Sequence, residues 1–227
     1  MPQKLNIMSS NRKQAFQSPS SNPATKFIDW KSNDKSFSYY DKEKRENVLI
    51  PLPFTFLVLE EMHTVKGWHD ASQSGIFSNE VKFISNEIIT VKPFKGSEIA
   101  SGLYKDIKPK IVAAGGHYVK SVYIMLEDGA IANLQLKGSA VQSWSEFTQK
   151  TRSRLTDEWI TVQTAKEDKK GSVKFSVPEF AFNKSLSDSQ GEQADAAFDI
   201  LEAYLKTYLK KDDVEDVEDV VDDGLEF

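Results

Sequence analysis

Apolar and polar residues alternate with a period of two through most of this chain, and a period near 3.6 surfaces in three places only. Residues 48–63 (VLIPLPFTFLVLEEMH) give the strongest strand signal, β-branched and aromatic throughout, with Pro51 and Pro53 confining the regular part to 54–62. Residues 67–75 (GWHDASQSG) carry turn residues around a Trp-His pair and read as a loop or the lip of a sheet. One or two further strands follow in 76–94, with a turn at Ser85-Asn86 and a clear run over 87–91, before the basic, aromatic turn 92–96. Ile99, Leu103, Ile107 and Ile111 fall four apart, which suits a helical turn or two limited by Pro109, and Gly115-Gly116 breaks the chain. Residues 117–126 and 130–136 form a hairpin about Glu127-Asp128-Gly129. Val141, Trp144 and Phe147 mark a short amphipathic helix over 139–150, and 159–164 with 173–177 make a second hairpin turning at Gly171. The best helix is 187–211, with Ala194, Ala197, Phe198, Leu201, Tyr204, Leu205 and Tyr208 on one stripe.

That order, strand-rich with short interrupting helices and a terminal helix, predicts a mainly β chain. A small β-barrel or an α+β domain fits it, a sandwich stays open, and alternating βαβ units do not fit. Four segments result: a disordered leader over 1–25, a folded domain over 26–186, the helix 187–211 and a tail over 212–227. Within the folded domain, 26–45 (KFIDWKSNDKSFSYYDKEKR) is too polar for a core element and too aromatic for a linker.

Charge changes the picture most at the end of the chain. The tail DDVEDVEDVVDDGLEF holds nine carboxylates, no cation and a terminal phenylalanine, too little apolar surface to offset the entropy of ordering. The whole chain has 34 Asp and Glu against 29 Lys and Arg; without the tail's nine acids the balance is 25 against 29, so an acidic protein contains a mildly basic body. A polyanionic tail can fold back on a basic groove and be displaced by another polyanion. Solubility alone also explains such a tail.

The chemistry-bearing residues are sparse. With no cysteine there is no disulfide, thiol nucleophile or cysteine metal site, and His63, His69 and His117 fit no zinc spacing. No P-loop, dinucleotide fingerprint or G-x-S-x-G is present, and Glu60 and Glu61 point to opposite faces of a strand. An enzyme is therefore the weaker class, and no cofactor is expected. No run approaches the roughly 20 apolar residues of a membrane span, so a cytoplasmic protein is expected.

Aromatic residues beside lysine or arginine are the stronger sign. Stacked bases and neutralised phosphates hold single strands without sequence preference, at roughly 1–3 kcal/mol per stacked base. The clusters are Trp30 with Lys31; Tyr39 and Tyr40 with Lys42, Lys44 and Arg45; Lys66 with Trp68; Lys92, Phe94 and Lys95; Tyr104 and Lys105 with Lys108 and Lys110; and Tyr118 and Lys120 with Tyr123. Each alone is as consistent with core packing; their sum beside a cationic body favours a DNA surface.

The tail ending in Phe227, the chain length, and segments such as KFIDWKS, FSYYDKEK, PFTFLVLEEMHTVKGW, GLYKDIK and GGHYVKSVYIML resemble the bacteriophage single-stranded DNA-binding proteins of replication. The likeness spans roughly residues 26–150 and the tail. It implies an OB-fold-like barrel that coats single-stranded DNA in replication or recombination, in the cytoplasm of a bacterial host. It also implies a tail whose Asp222, Asp223, Glu226 and Phe227 contact replication proteins such as a DNA polymerase or a primase-helicase. A monomer and a homodimer both remain open. The alternative is an acidic-tailed interaction adaptor or virion protein that binds no DNA; a metal-dependent nuclease is a third class with no residue pattern in its favour.

Overall fold

One strand organises the sheet. In a computed structural model that describes residues 21–215, β4 (Phe54–His69) runs for 16 residues and is paired along one edge to β8 (Gly116–Leu126). The strand is longer than the expected 54–62 because Gly67 lets it continue. A Cβ on Gly67 would lie 2.2 Å from the Gly115 carbonyl oxygen, so glycine at 67 permits the backbones to touch, and Gly115 takes the positive φ (+90°) that the turn requires. Trp68 and His69 are thereby strand residues, and the turn occupies only 70–73 before β5 (Ser74–Ser78).

The other edge of β4 is shared by two structures. Its first residues pair with β10 (Glu158–Lys170), which forms a hairpin with β11 (Val173–Ser185); its last residues pair with β5, followed outward by β6 (Ile88–Pro93) and β7 (Ala100–Leu103). Beyond β8 the sheet continues through β9 (Ile131–Lys137) to β1 (Lys26–Lys31), β2 (Ser36–Asp41) and β3 (Glu46–Ile50). β1 runs parallel to β9 and the other named pairs are antiparallel, so the sheet is mixed.

The segment 26–45, too polar to read as core, forms β1, β2 and the turn that follows each. Ile28 and Phe37 are completely buried in it. Alternation explains part of the misleading composition: in β1 the buried Ile28 is flanked by residues left partly or fully exposed and free to be polar, whereas in β2 the small Ser36 and Ser38 are buried on either side of Phe37. The C-terminal helix is present as α3 (Asp188–Glu215), longer than expected by four residues of the acidic run. Once nucleated, a helix gains a hydrogen bond per added residue at small cost, which carries it past the last lysines. Two shorter helices are α1 (Tyr104–Ala113), with Pro109 inside, and α2 (Ser139–Gln149). Residues 24–198 form one compact unit, and α3 beyond Phe198 belongs to another.

The chain is mainly β with a C-terminal helix, as its pattern predicts, but the expected barrel does not close: no ladder joins β11 to β1 among the described residues. A clasp takes the place of a ladder. The Ser176 carbonyl accepts from Trp30 Nε1 (3.0 Å) and Ser32 Oγ (3.2 Å), and Ser176 N donates to Ser32 Oγ (2.6 Å). The core behind it holds Ile28, Phe37, Phe54, Phe56, Ile124, Leu134 and Trp144. A second core of Val65, Ile76, Ile89, Val91, Ile107 and Ile111 lies under α1.

Candidate nucleic-acid interface

Strand register separates the aromatic residues into two sets. Both cores lie on one face of the sheet, here the inner face. In β1 it receives Ile28 and Trp30, in β2 Phe37 and Tyr39, in β4 Val65, and in β8 Tyr118 and Lys120. Trp30 meets Phe37 edge-on at 4.9 Å, and Tyr39 packs on the same core with Lys26 Nζ 4.9 Å over its ring. Tyr118 and Lys120 occupy a polar belt between the two cores. Lys120 pairs with Glu61 at 3.3 Å, Trp144 Nε1 donates to Glu61 at 2.6 Å, and His63 Nδ1 and the Tyr118 hydroxyl are 2.6 Å apart, with Tyr104 against the Tyr118 ring. Glu60 turns to the opposite face and pairs with Lys82 at 2.6 Å, as the sequence reading of the two carboxylates requires.

The belt has a titration consequence. Burial pushes His63 down to about 4, with the Lys120 ammonium adding to the shift and Glu61 opposing it; burial, Glu61 and Tyr104 push the Tyr118 phenol up. A lowered histidine pKa means that the unfolded chain takes up the proton first as pH falls. Stability is therefore full above about 6.5, declines from there towards 4, and levels off below. Solvent screening at a half-buried ring reduces the effect to about 1–2 kcal/mol. Urea midpoints at pH 7 and pH 4.5 should differ less in His63→Gln than in the unaltered chain; equal pH dependence would exclude His63 as the source.

The outer face carries the second set. Lys66 and Phe77 are cross-strand partners, as are Phe77 and Lys92, and Trp68 stands opposite Gly75. Phe94 fills the space above Gly75, where a Cβ would lie 3.1 Å from its ring, and contacts Phe77 at 4.7 Å between centroids. By the same alternation Phe27 and Tyr40 of β1 and β2 are on the outer face, as are Lys31 and Lys137. The twist of the sheet brings distant strands together here: Lys66 Nζ reaches to 5.3 Å from the Phe27 ring. Trp68 is 53% exposed, Tyr40 55% and Phe94 73%, in a protein whose Trp144 and Trp159 are almost wholly covered. Lys66 makes no hydrogen bond or ion pair among the described residues. Burial holds its ammonium below the ordinary lysine range; Glu80 and Asp29 pull it back up and Lys137 pushes it further down.

Of the residues singled out from sequence, Tyr40, Lys66, Trp68, Lys92 and Phe94 thus share the outer face, and exposed Lys95 lies two residues beyond the end of β6. Trp30, Tyr39, Tyr118 and Lys120 belong to the inner face, Tyr104 and Lys105 to α1, and Lys42, Lys44 and Arg45 to the exposed turn between β2 and β3. Phe27 and Phe77 complete the outer set and were missed as site residues. The signal was available in their spacing, since Phe27 is out of phase with buried Ile28 and Phe77 with buried Ile76. Asp222, Asp223, Glu226 and Phe227 lie outside the described residues. No helix among the described residues is long and apolar enough to cross a membrane.

No family model matches this chain, and neither the curated proteins nor the solved structures give a match.

Proposed function

We propose that this chain is a nonenzymatic single-stranded DNA-binding protein whose outer sheet face stacks bases, and whose acidic tail competes for that face and recruits replication proteins. The observation that carries it is the placement of Tyr40, Phe27, Trp68 and Phe94, all more than a third exposed, on one face with Lys66 and Lys92 among them. Exposed aromatic rings lose apolar burial in the free protein, whereas a base offers each a π-face and every intervening phosphate an ammonium partner. The tail's resemblance to phage replication proteins supports a role in coating and protecting DNA during phage replication or recombination.

The test is anisotropy titration of the full chain and of residues 1–211 with oligo-dT, oligo-dA and a duplex over a salt series. Both single strands should bind with marked salt dependence and the duplex weakly. Removal of residues 212–227, which subtracts nine carboxylates, should tighten single-strand binding at low salt. No binding by either form would refute the function, and equal binding by both would refute the competing tail alone.

A further inference from the structure

A concave surface lies between the turn joining β1 to β2 and the outer half of the β10–β11 hairpin, and none of the outer-face aromatic residues lines it. It is lined by Asn33 and Lys35 from the turn and by Glu167, Lys169, Lys174 and Phe175 from the hairpin, with Asp168 also at its edge. The clasp at Ser32 and Ser176 fixes the two walls, and Lys35 bonds Glu167 at 2.5 Å across the gap. The Lys35 hydrogen bond and charge, with a smaller contribution from Lys174, hold the Glu167 carboxyl below its usual range.

What singles out this place is a like-charge pair. Lys169 and Lys174 are direct cross-strand partners in the hairpin register, two positions beyond the Glu167–Ser176 pair and so on the same face as it. The period of two puts both ammonium groups on the hairpin face that carries Ser176 towards the turn. Like charges directly opposite in an antiparallel pair disfavour the strand pairing. Glu167 is already engaged by Lys35, and neither Lys169 nor Lys174 has an ion pair among the described residues. An anion between the two ammonium groups converts the repulsion into attraction, and the Asn33 amide supplies a neutral donor at the rim.

We propose that this pocket is an anion site that takes a phosphodiester of the bound strand, separate from the face that stacks its bases. The inference rests on the single-stranded DNA reading above and adds to it a division of labour. The outer face supplies stacking through Trp68 and its neighbours, and the hairpin pocket supplies phosphate contacts that are indifferent to base identity.

The experiment compares the full chain with Lys169→Gln/Lys174→Gln, with Lys169→Arg/Lys174→Arg, and with Lys108→Gln/Lys110→Gln. The last removes the same charge from exposed positions on α1. Affinities for oligo-dT and oligo-dA are measured from 50 to 400 mM salt, alongside quenching of tryptophan emission at saturation. Loss of the one phosphate contact that the two ammonium groups share lowers the slope of log K against log salt by about 0.7. That change is expected for the glutamine pair in the hairpin, equally on both oligonucleotides, with saturating quench intact and the arginine pair near the original slope. A slope unchanged in the hairpin variant, or lowered as much by the α1 control, overturns the pocket while leaving the DNA function standing. If the unaltered chain binds neither oligonucleotide, the function fails and the pocket fails with it.

Discussion

Trp68→Ala is expected to weaken single-stranded DNA binding by about 5- to 150-fold, the loss of about 1–3 kcal/mol that goes with one stacked base. The indole stands 53% exposed near the end of β4, opposite Gly75 and two residues along the same strand face from Lys66, so its removal leaves no cavity in either core. Circular dichroism and the urea midpoint should stay near those of the unaltered chain. The same residue gives the optical readout. Of the four tryptophans, Trp144 and Trp159 are buried and Trp30 is engaged with Ser176, so DNA-dependent quenching should come from Trp68 and vanish in the variant. Equal affinity for oligo-dT with and without the indole would remove the outer face from the DNA path.

Trp144→Ala should have the opposite signature, a large loss of stability. Trp144 is fully buried on α2, its ring 4.9 Å from Phe180 and 6.2 Å from Phe56. Truncating such a ring costs about 3–5 kcal/mol. The polar belt adds a second component. Trp144 Nε1 donates to Glu61, which also holds Lys120, so the indole ties α2 to β4 and β8. Trp144→Phe separates the two: it keeps most of the ring but leaves Glu61 short of a donor, at about 1–3 kcal/mol. Urea denaturation of the three proteins should therefore rank the original above Trp144→Phe and that above Trp144→Ala. A phenylalanine variant as stable as the original would show that the Glu61 contact contributes nothing.

These two tryptophans illustrate what sequence could and could not reveal. Trp144 sits among Val141 and Phe147 at helical spacing, and its burial followed from that periodicity. Trp68 sits among Gly67, His69 and Asp70, a composition that signals a turn. The long strand that carries it depends on Gly67 and Gly115, whose backbones meet although they are far apart in sequence. Tyr39 and Tyr40 make the same point at one remove. They are adjacent and equally flanked by charge, yet alternation sends Tyr39 to the core and Tyr40 to the surface. Which of two neighbours faces water is a matter of phase, and the phase was set by Ile28 and Phe37 in a segment whose polarity hid its strands.

The amino-acid sequence alone determined the β-rich character, the central hairpin of β8 and β9, the positions of α2 and α3, and the acidic end, because each depends on local periodicity, turn residues or charge. Tertiary structure decided the rest. Pairing β4 with β10 at one end and β5 at the other, setting β1 parallel to β9, and clasping Ser176 to Ser32 all join residues distant along the chain. Local propensity carries no information about which partners meet. Those pairings left the sheet open rather than closed into a barrel, and they gathered the outer aromatic face and the lysine pocket from segments that no motif connects.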